Sequence, residues 1–140
     1  MSALVVDTSS WISWLAGNGD TLIDEALGEG RLYLPAVVAA ELLSGTLNEQ
    51  DRTALEDLLR DLPLCSADVG HWFRVGRLRG SLRKAGVTLS TPDAHVAQCV
   101  LDLDGELLTE DRVFEKVAEV TGLQMARPPG RDIKRDRTPS

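Results

Sequence analysis

The chain has 140 residues, 43% of them apolar, and a formal net charge of −7. That size and apolar content support one domain with its own core and exclude a disordered chain. No apolar run approaches the roughly 20 residues of a spanning helix, and the acidic balance argues against nucleic-acid binding by the surface as a whole. The charge is uneven: Arg127, Arg131, Lys134, Arg135 and Arg137 face only Asp132 and Asp136 in the last fourteen residues, a net of +3 that leaves −10 for residues 1–126. The expected organisation is a domain over 1–126 and a flexible basic tail over 127–140. Cys65 and Cys99 show neither metal-ligand spacing nor a disulfide framework, and read as reduced core residues. With no signal-like N-terminus, a cytoplasmic protein with no membrane contact is expected.

In chain order, Leu4-Val5-Val6 is a short continuous apolar run, as in a buried parallel strand, and it ends on Asp7. Thr8 or Ser9 is expected to cap a helix running to Gly17, with Trp11, Ile12, Trp14 and Leu15 on overlapping faces. A second helix spans Asp20 to Leu27, and Arg31 to Leu34 is the next strand. Pro35 opens a helix to about Ser44 that carries Glu41 within Val37-Val38-Ala39-Ala40-Glu41-Leu42-Leu43. Asn48 caps a helix through Leu62, and Pro63-Leu64-Cys65 is either an edge strand or a connection. A long helix follows from Ala67 to about Ala85. Thr91-Pro92-Asp93 starts a helix whose buried face includes Ala94, Val96, Ala97, Val100 and Leu101. Glu106 to Thr109 is a strand, Asp111 to Val120 a helix, and Leu123 to Ala126 the last strand. This alternation predicts an α/β fold around a central, mainly parallel sheet of four or five strands.

Four acids stand at element ends or on faces otherwise built for burial: Asp7, Glu41, Asp93 and Asp111. Glu41 has no basic residue within one helical turn, and a charge on an apolar face requires a partner or a cation. In a parallel α/β sheet, strand ends and the starts of following helices converge on one edge. Crowded carboxylates repel unless a metal joins them, and oxygen-only ligation suits Mg²⁺ or Mn²⁺. The chemistry expected of one or two such ions is hydrolysis of a phosphate ester. Taken singly, each acid is equally readable as a helix cap or a solvated side chain.

Val6-Asp7-Thr8-Ser9, Glu41 in Val-Ala-Ala-Glu-Leu, Asp93-Ala94-His95-Val96-Ala97 and Leu108-Thr109-Glu110-Asp111-Arg112-Val113-Phe114 together resemble the PIN-domain signature. In particular they resemble the small VapC-type toxins of type II toxin–antitoxin pairs. The resemblance spans Leu4 to about Met125 and implies a three-layer α/β/α fold. It implies that Asp7, Glu41, Asp93 and Asp111 are the catalytic, metal-binding quartet, supported by Ser9 and Thr109. It further implies a Mg²⁺- or Mn²⁺-dependent endoribonuclease acting on tRNA or rRNA, a homodimer, and inhibition by a cognate VapB-like antitoxin. Two positions depart from the pattern. Arg112-Val113 stands where many members carry a second aspartate before the phenylalanine, and His95 occupies a frequently apolar position and reads as structural.

Arg74, Arg77 and Lys84 lie in an acid-free stretch and form a candidate RNA track. At least one of Trp11, Trp14 and Trp72 is a candidate anchor for a protein partner. Two other functions fit the same residues: an RNA-processing PIN nuclease without an antitoxin, and a catalytically inactive interaction module. A receiver-like phosphoacceptor fits less well, because Asp7 has no acidic neighbour and no lysine follows a late strand.

Overall fold

The computed structural model describes residues 2–126, and the expected basic tail lies outside them. Four parallel strands form the sheet: β1 (Leu4–Val6), β2 (Leu32–Tyr33), β3 (Glu106–Leu108) and β4 (Gln124–Met125), in the order β2-β1-β3-β4. All three β1 residues are buried, as a central strand covered on both faces requires. Its register sets Leu4 beside Leu32 on one side, and Leu4, Val5 and Val6 beside Glu106, Leu107 and Leu108 on the other. The Pro63-Leu64-Cys65 stretch adds only a single parallel bridge from Leu64 to Leu34.

Seven helices complete the α/β/α arrangement: α1 (Thr8–Leu15), α2 (Thr21–Glu29), α3 (Ala36–Leu43), α4 (Glu49–Arg60), α5 (Val69–Lys84), α6 (Thr91–Leu103) and α7 (Val113–Thr121). Local sequence sets most of their ends. The Asp20 carboxylate accepts the Leu22 N–H at the start of α2, Asn48 accepts from Asp51 at α4, and Asp68 from His71 at α5. Gly30 closes α2 in the left-handed region, where glycine carries no Cβ penalty. Four expected starts move, that of α5 from Ala67 to Val69 among them. Asp7 itself, not Thr8 or Ser9, holds the N-cap position of α1, and Pro35 that of α3. The helix after β3 begins at Val113 rather than Asp111, because the Asp111 carboxylate turns back to accept the Val113 N–H.

The core is continuous across both faces of the sheet, with Trp11, Ile23, Leu32, Leu82, Leu107 and Phe114 among its fully buried side chains. Helix α6 lies deepest: every residue from Ala94 to Val100 is buried, and the helix packs on α5, α3, β1 and β3. Asp93 stands in the first turn of this helix, so the position of that carboxylate is fixed by the most constrained element of the fold.

Candidate active site

Strand order locates the crevice. From β1 the chain crosses to β2 on one side, and from β3 to β4 on the other, so the connections diverge between β1 and β3. In open parallel sheets, ligands bind outside the carboxyl ends of the strands at such a switch point. Asp7 directly follows β1 and donates its N–H to the Leu108 carbonyl at 2.9 Å, and Thr109 directly follows β3.

A hydroxyl network fixes the floor of this crevice. Buried Thr109 donates from Oγ1 to Asp7 Oδ2 at 2.9 Å and accepts the Asp111 N–H at 3.0 Å. Ser9 donates to the same Asp7 oxygen at 3.4 Å and accepts the Glu110 N–H at 3.0 Å. The loop bearing Asp111 is thereby tied to Asp7 through two hydroxyls. Sequence reading singled out Ser9 and Thr109, but missed Thr8 and Ser13. Thr8 donates to Glu41 Oε1 at 2.6 Å, and Ser13 donates to Glu110. The signal available for Thr8 is its position directly after a strand-ending aspartate, where the sequence suggests a helix cap.

Glu41 needs correction on one point. Its carboxylate is exposed, not pressed into an apolar face, so the burial penalty that drew attention to it does not operate. The partner is Thr8 on the neighbouring helix, in keeping with the packing of α1 on α3.

Electrostatics bring the four acids into one field. Burial pushes the Asp7 carboxyl above the usual carboxylate range; bonds from Thr109 and the Thr8 backbone pull it back, and the charges of Asp93 and Asp111 push it up again. Asp93 is raised by burial, relieved by Ser90, and raised further by Asp111 and Glu41. No lysine or arginine forms an ion pair with any of the four among the described residues. An oxygen-only donor set with mutual repulsion and no internal cation fits a hard divalent ion such as Mg²⁺ or Mn²⁺. Asp7, Glu41, Asp93 and Asp111 are the residues that would hold it.

The PIN domain profile matches residues 4–120, more than half of the chain. The chain belongs to the PIN domain family. This PIN domain is 29% identical over 130 residues to the VapC ribonuclease Mb1587 of Mycobacterium bovis, covering 88% of this chain and 97% of that protein. The same values hold for ribonuclease VapC11 of Mycobacterium tuberculosis. Among solved structures, DNA-bound VapBC from Salmonella typhimurium matches with a TM-score of 0.73 at 19% identity, covering 89% of this chain and 97% of that one. VapBC2 from Rickettsia felis, bound to a promoter DNA fragment, matches at 0.70 and 17% identity, covering 88% and 96%. At those identities the structural likeness concerns the fold.

The other expected site residues lie on α5 of the PIN domain. Arg77 and Lys84 are exposed. Arg74 is engaged: its guanidinium donates to both Asp102 oxygens, at 3.1 and 2.9 Å, so α5 offers a weaker positive track than the sequence suggested. His95 is fully buried and hydrogen-bonded to His71, away from solvent. Burial, then the neighbouring His71, pushes its pKa down to about 4. Of the three tryptophans, Trp11 is fully buried, whereas Trp72 is 40% exposed. No described helix is long and apolar enough to cross a membrane.

Proposed function

We propose that this PIN domain is a VapC-type toxin, a Mg²⁺- or Mn²⁺-dependent endoribonuclease that hydrolyses phosphodiester bonds in RNA, with tRNA or rRNA as its substrate class. The observation that carries this reading is the convergence of Asp7, Asp93, Asp111 and Glu41 in one field at the switch point between β1 and β3. Its curated relatives are named as VapC ribonucleases, and they are covered almost end to end.

A divalent ion held by this set supplies Lewis-acid charge, favouring ionisation of an attacking water and offsetting charge on the phosphate. The residues do the rest. Thr109 and Ser9 orient Asp7 and keep the Asp111 loop against it, so that two carboxylates from distant parts of the chain keep a fixed separation. Thr8 holds Glu41 toward the same crevice from the solvent side, where a polymer enters. Asp93 is presented by the buried helix α6 and does not move with the surface loops. Arg77 and Lys84 draw the phosphate backbone to an otherwise acidic body, a contribution that weakens with salt.

The proposed partners are a VapB-like antitoxin and a second copy of this chain. A groove of about 380 Å³ runs between α1 and α4, lined by Leu15, Leu47, Ala54, Leu55 and Leu58 with Asp51. Asp7 stands at the N-cap of α1 and Leu15 ends it, so an apolar antitoxin segment seated in this groove reaches the acids by running back along α1. For the second copy, Val69, Trp72 and Phe73 form an exposed apolar face at i, i+3, i+4 spacing on α5.

The test is cleavage of total cellular RNA by antitoxin-free protein with Mg²⁺, with Mn²⁺ and with chelator, beside Asp7→Asn and Asp93→Asn. Discrete fragments that require metal and vanish in both variants are expected. Cleavage persisting in both variants, or none from folded protein, overturns the reading.

A further inference from the structure

The interface between α5 and α6 contains a second group of metal-capable side chains, made of nitrogen and sulfur rather than oxygen. His71 comes from the first turn of α5, and His95 and Cys99 are one turn apart on α6. All three are buried, and their ligand atoms lie within 4.8 Å of one another. His71 Nε2 and His95 Nδ1 are 2.7 Å apart, sharing one proton across the helix interface. Cys99 Sγ is 4.0 Å from the His95 ring nitrogens.

The surroundings are those of a ligand set. On its far side, His71 Nδ1 faces Asp102 Oδ2 at 3.2 Å, and Asp102 is itself held by Arg74 and by Gln98, the latter at 2.8 Å. A carboxylate on the outer ring nitrogen of a histidine fixes the ring so that the other nitrogen presents its lone pair, the arrangement usual behind metal-binding histidines. Trp72 lies parallel to His95, ring centroids 4.7 Å apart, and covers the cluster. The free thiol of Cys65, also buried, neighbours that of Cys99 on its other flank.

We propose that His71 Nε2, His95 Nδ1 and Cys99 Sγ form a buried Zn²⁺-class site that clamps α5 to α6, separate from the carboxylate crevice. Two imidazoles and a thiol select a borderline or soft cation over Mg²⁺. Tetrahedral zinc, with bonds of about 2.0–2.1 Å to nitrogen and 2.3 Å to sulfur, sets its ligand nitrogens about 3.3 Å apart and nitrogen to sulfur about 3.6 Å. The two rings separate by about 0.6 Å, and Cys99, 4.0 Å from the His95 nitrogens and within 4.8 Å of the His71 ligand atom, closes by about 0.4 Å on His95 and by up to about 1.2 Å on His71. The cation replaces the proton shared by the two rings, which passes to His95 Nε2 so that both ligands stay neutral imidazoles; the thiol releases its proton to solvent, and the fourth position remains for water. Because α6 also bears Asp93, the clamp steadies that helix. The assignment stands on these side chains and does not depend on the nuclease reading.

The test uses the full chain, stripped with chelator and kept in a phosphine reductant so that Cys65 and Cys99 stay as thiols, then titrated with Co²⁺ alone. One thiolate-bound Co²⁺ per chain, counted by its thiolate-to-cobalt charge-transfer absorption, is expected, along with the visible bands of tetrahedral cobalt and their loss on adding Zn²⁺. An oxygen-only site produces no thiolate band, so Asp7→Asn with Asp93→Asn leaves the signal intact. Cys99→Ala removes it, and Asp102→Asn, a positioning change, weakens affinity roughly 10- to 100-fold while keeping the band. Zn²⁺ also slows alkylation of Cys99 in the unmutated protein, a readout that needs no variant to fold. A folded protein without the thiolate band, a band that survives Cys99→Ala, or alkylation at Cys99 indifferent to Zn²⁺ overturns the assignment.

Discussion

Asp7 shows how a single carboxylate is made costly. It is buried, bonded to Thr109, and faces Asp93 and Asp111 with no cation among its partners, so it binds its proton more tightly in the folded chain than in the unfolded one. Asp93 is raised in the same direction. The native state therefore holds more protons than the unfolded state just above the ordinary carboxylate pKa of 3.8, and stability falls as pH rises through that window. Asparagine keeps a carbonyl acceptor and loses the charge. In chelator, Asp7→Asn and Asp93→Asn are expected to melt above the unmodified chain at neutral pH, with the difference closing under acid. Adding Mn²⁺ should raise the melting temperature of the unmodified chain and leave both variants little changed. Scanning calorimetry across pH, with and without metal, checks both statements. His95 acts in the opposite sense. Its pKa falls from 6.5 to about 4 on folding, so the unfolded chain takes the proton first and stability drops as pH falls across that interval. Denaturant unfolding of His95→Gln between pH 7 and pH 4 should show a flatter slope than the unmodified chain.

At the scale of elements, one tight join is where α6 hands over to β3. Asp104 sits at φ 50°, and Gly105 follows against Ala3, just ahead of β1. A Cβ on Gly105 would lie 2.6 Å from the Ala3 carbonyl oxygen, which also accepts the Glu106 N–H. Backbone cannot yield there as a flexible side chain would. Gly105→Ala is expected to destabilise by about 1–3 kcal/mol, the usual cost of overpacking, and equilibrium unfolding in urea measures it. Helix α5 permits a separate test. Arg77 and Lys84 are free of the ion pair that occupies Arg74. Replacing either by alanine should lower the slope of log binding constant against log salt by about 0.7 for single-stranded RNA, whereas Arg74→Ala should lower it less.

For the whole molecule, the groove between α1 and α4 and the apolar face of α5 are surfaces that a monomer has little reason to keep. Leu15, half exposed at the rim of the groove, is the natural point of disruption. Leu15→Glu should weaken antitoxin binding by about 2 kcal/mol, roughly thirtyfold, while leaving metal-dependent RNA cleavage intact. Titration calorimetry against the cognate antitoxin, alongside the cleavage assay, separates a docking residue from a catalytic one. Phe73→Glu should shift the mass measured by light scattering from dimer to monomer.

What the sequence determined by itself is what short-range physics controls. The apolar run before Asp7 dictates a buried strand, the alternation of elements dictates a parallel sheet, and the spacing of four short motifs suffices to place the family. Helix ends were less legible, because Asp7, Pro35 and Asp111 use their backbone or turn their side chains in ways that neighbouring residues decide. Tertiary structure alone decided the partners. Thr8 meets Glu41 across 33 positions, and Thr109 meets Asp7 across 102. His71 reaches His95 and Cys99 only because α5 packs on α6. Two cysteines without motif spacing and two isolated histidines have no meaning in one dimension. Hydrogen bonding and ligation depend on distances in space, and packing of the whole core fixes those distances.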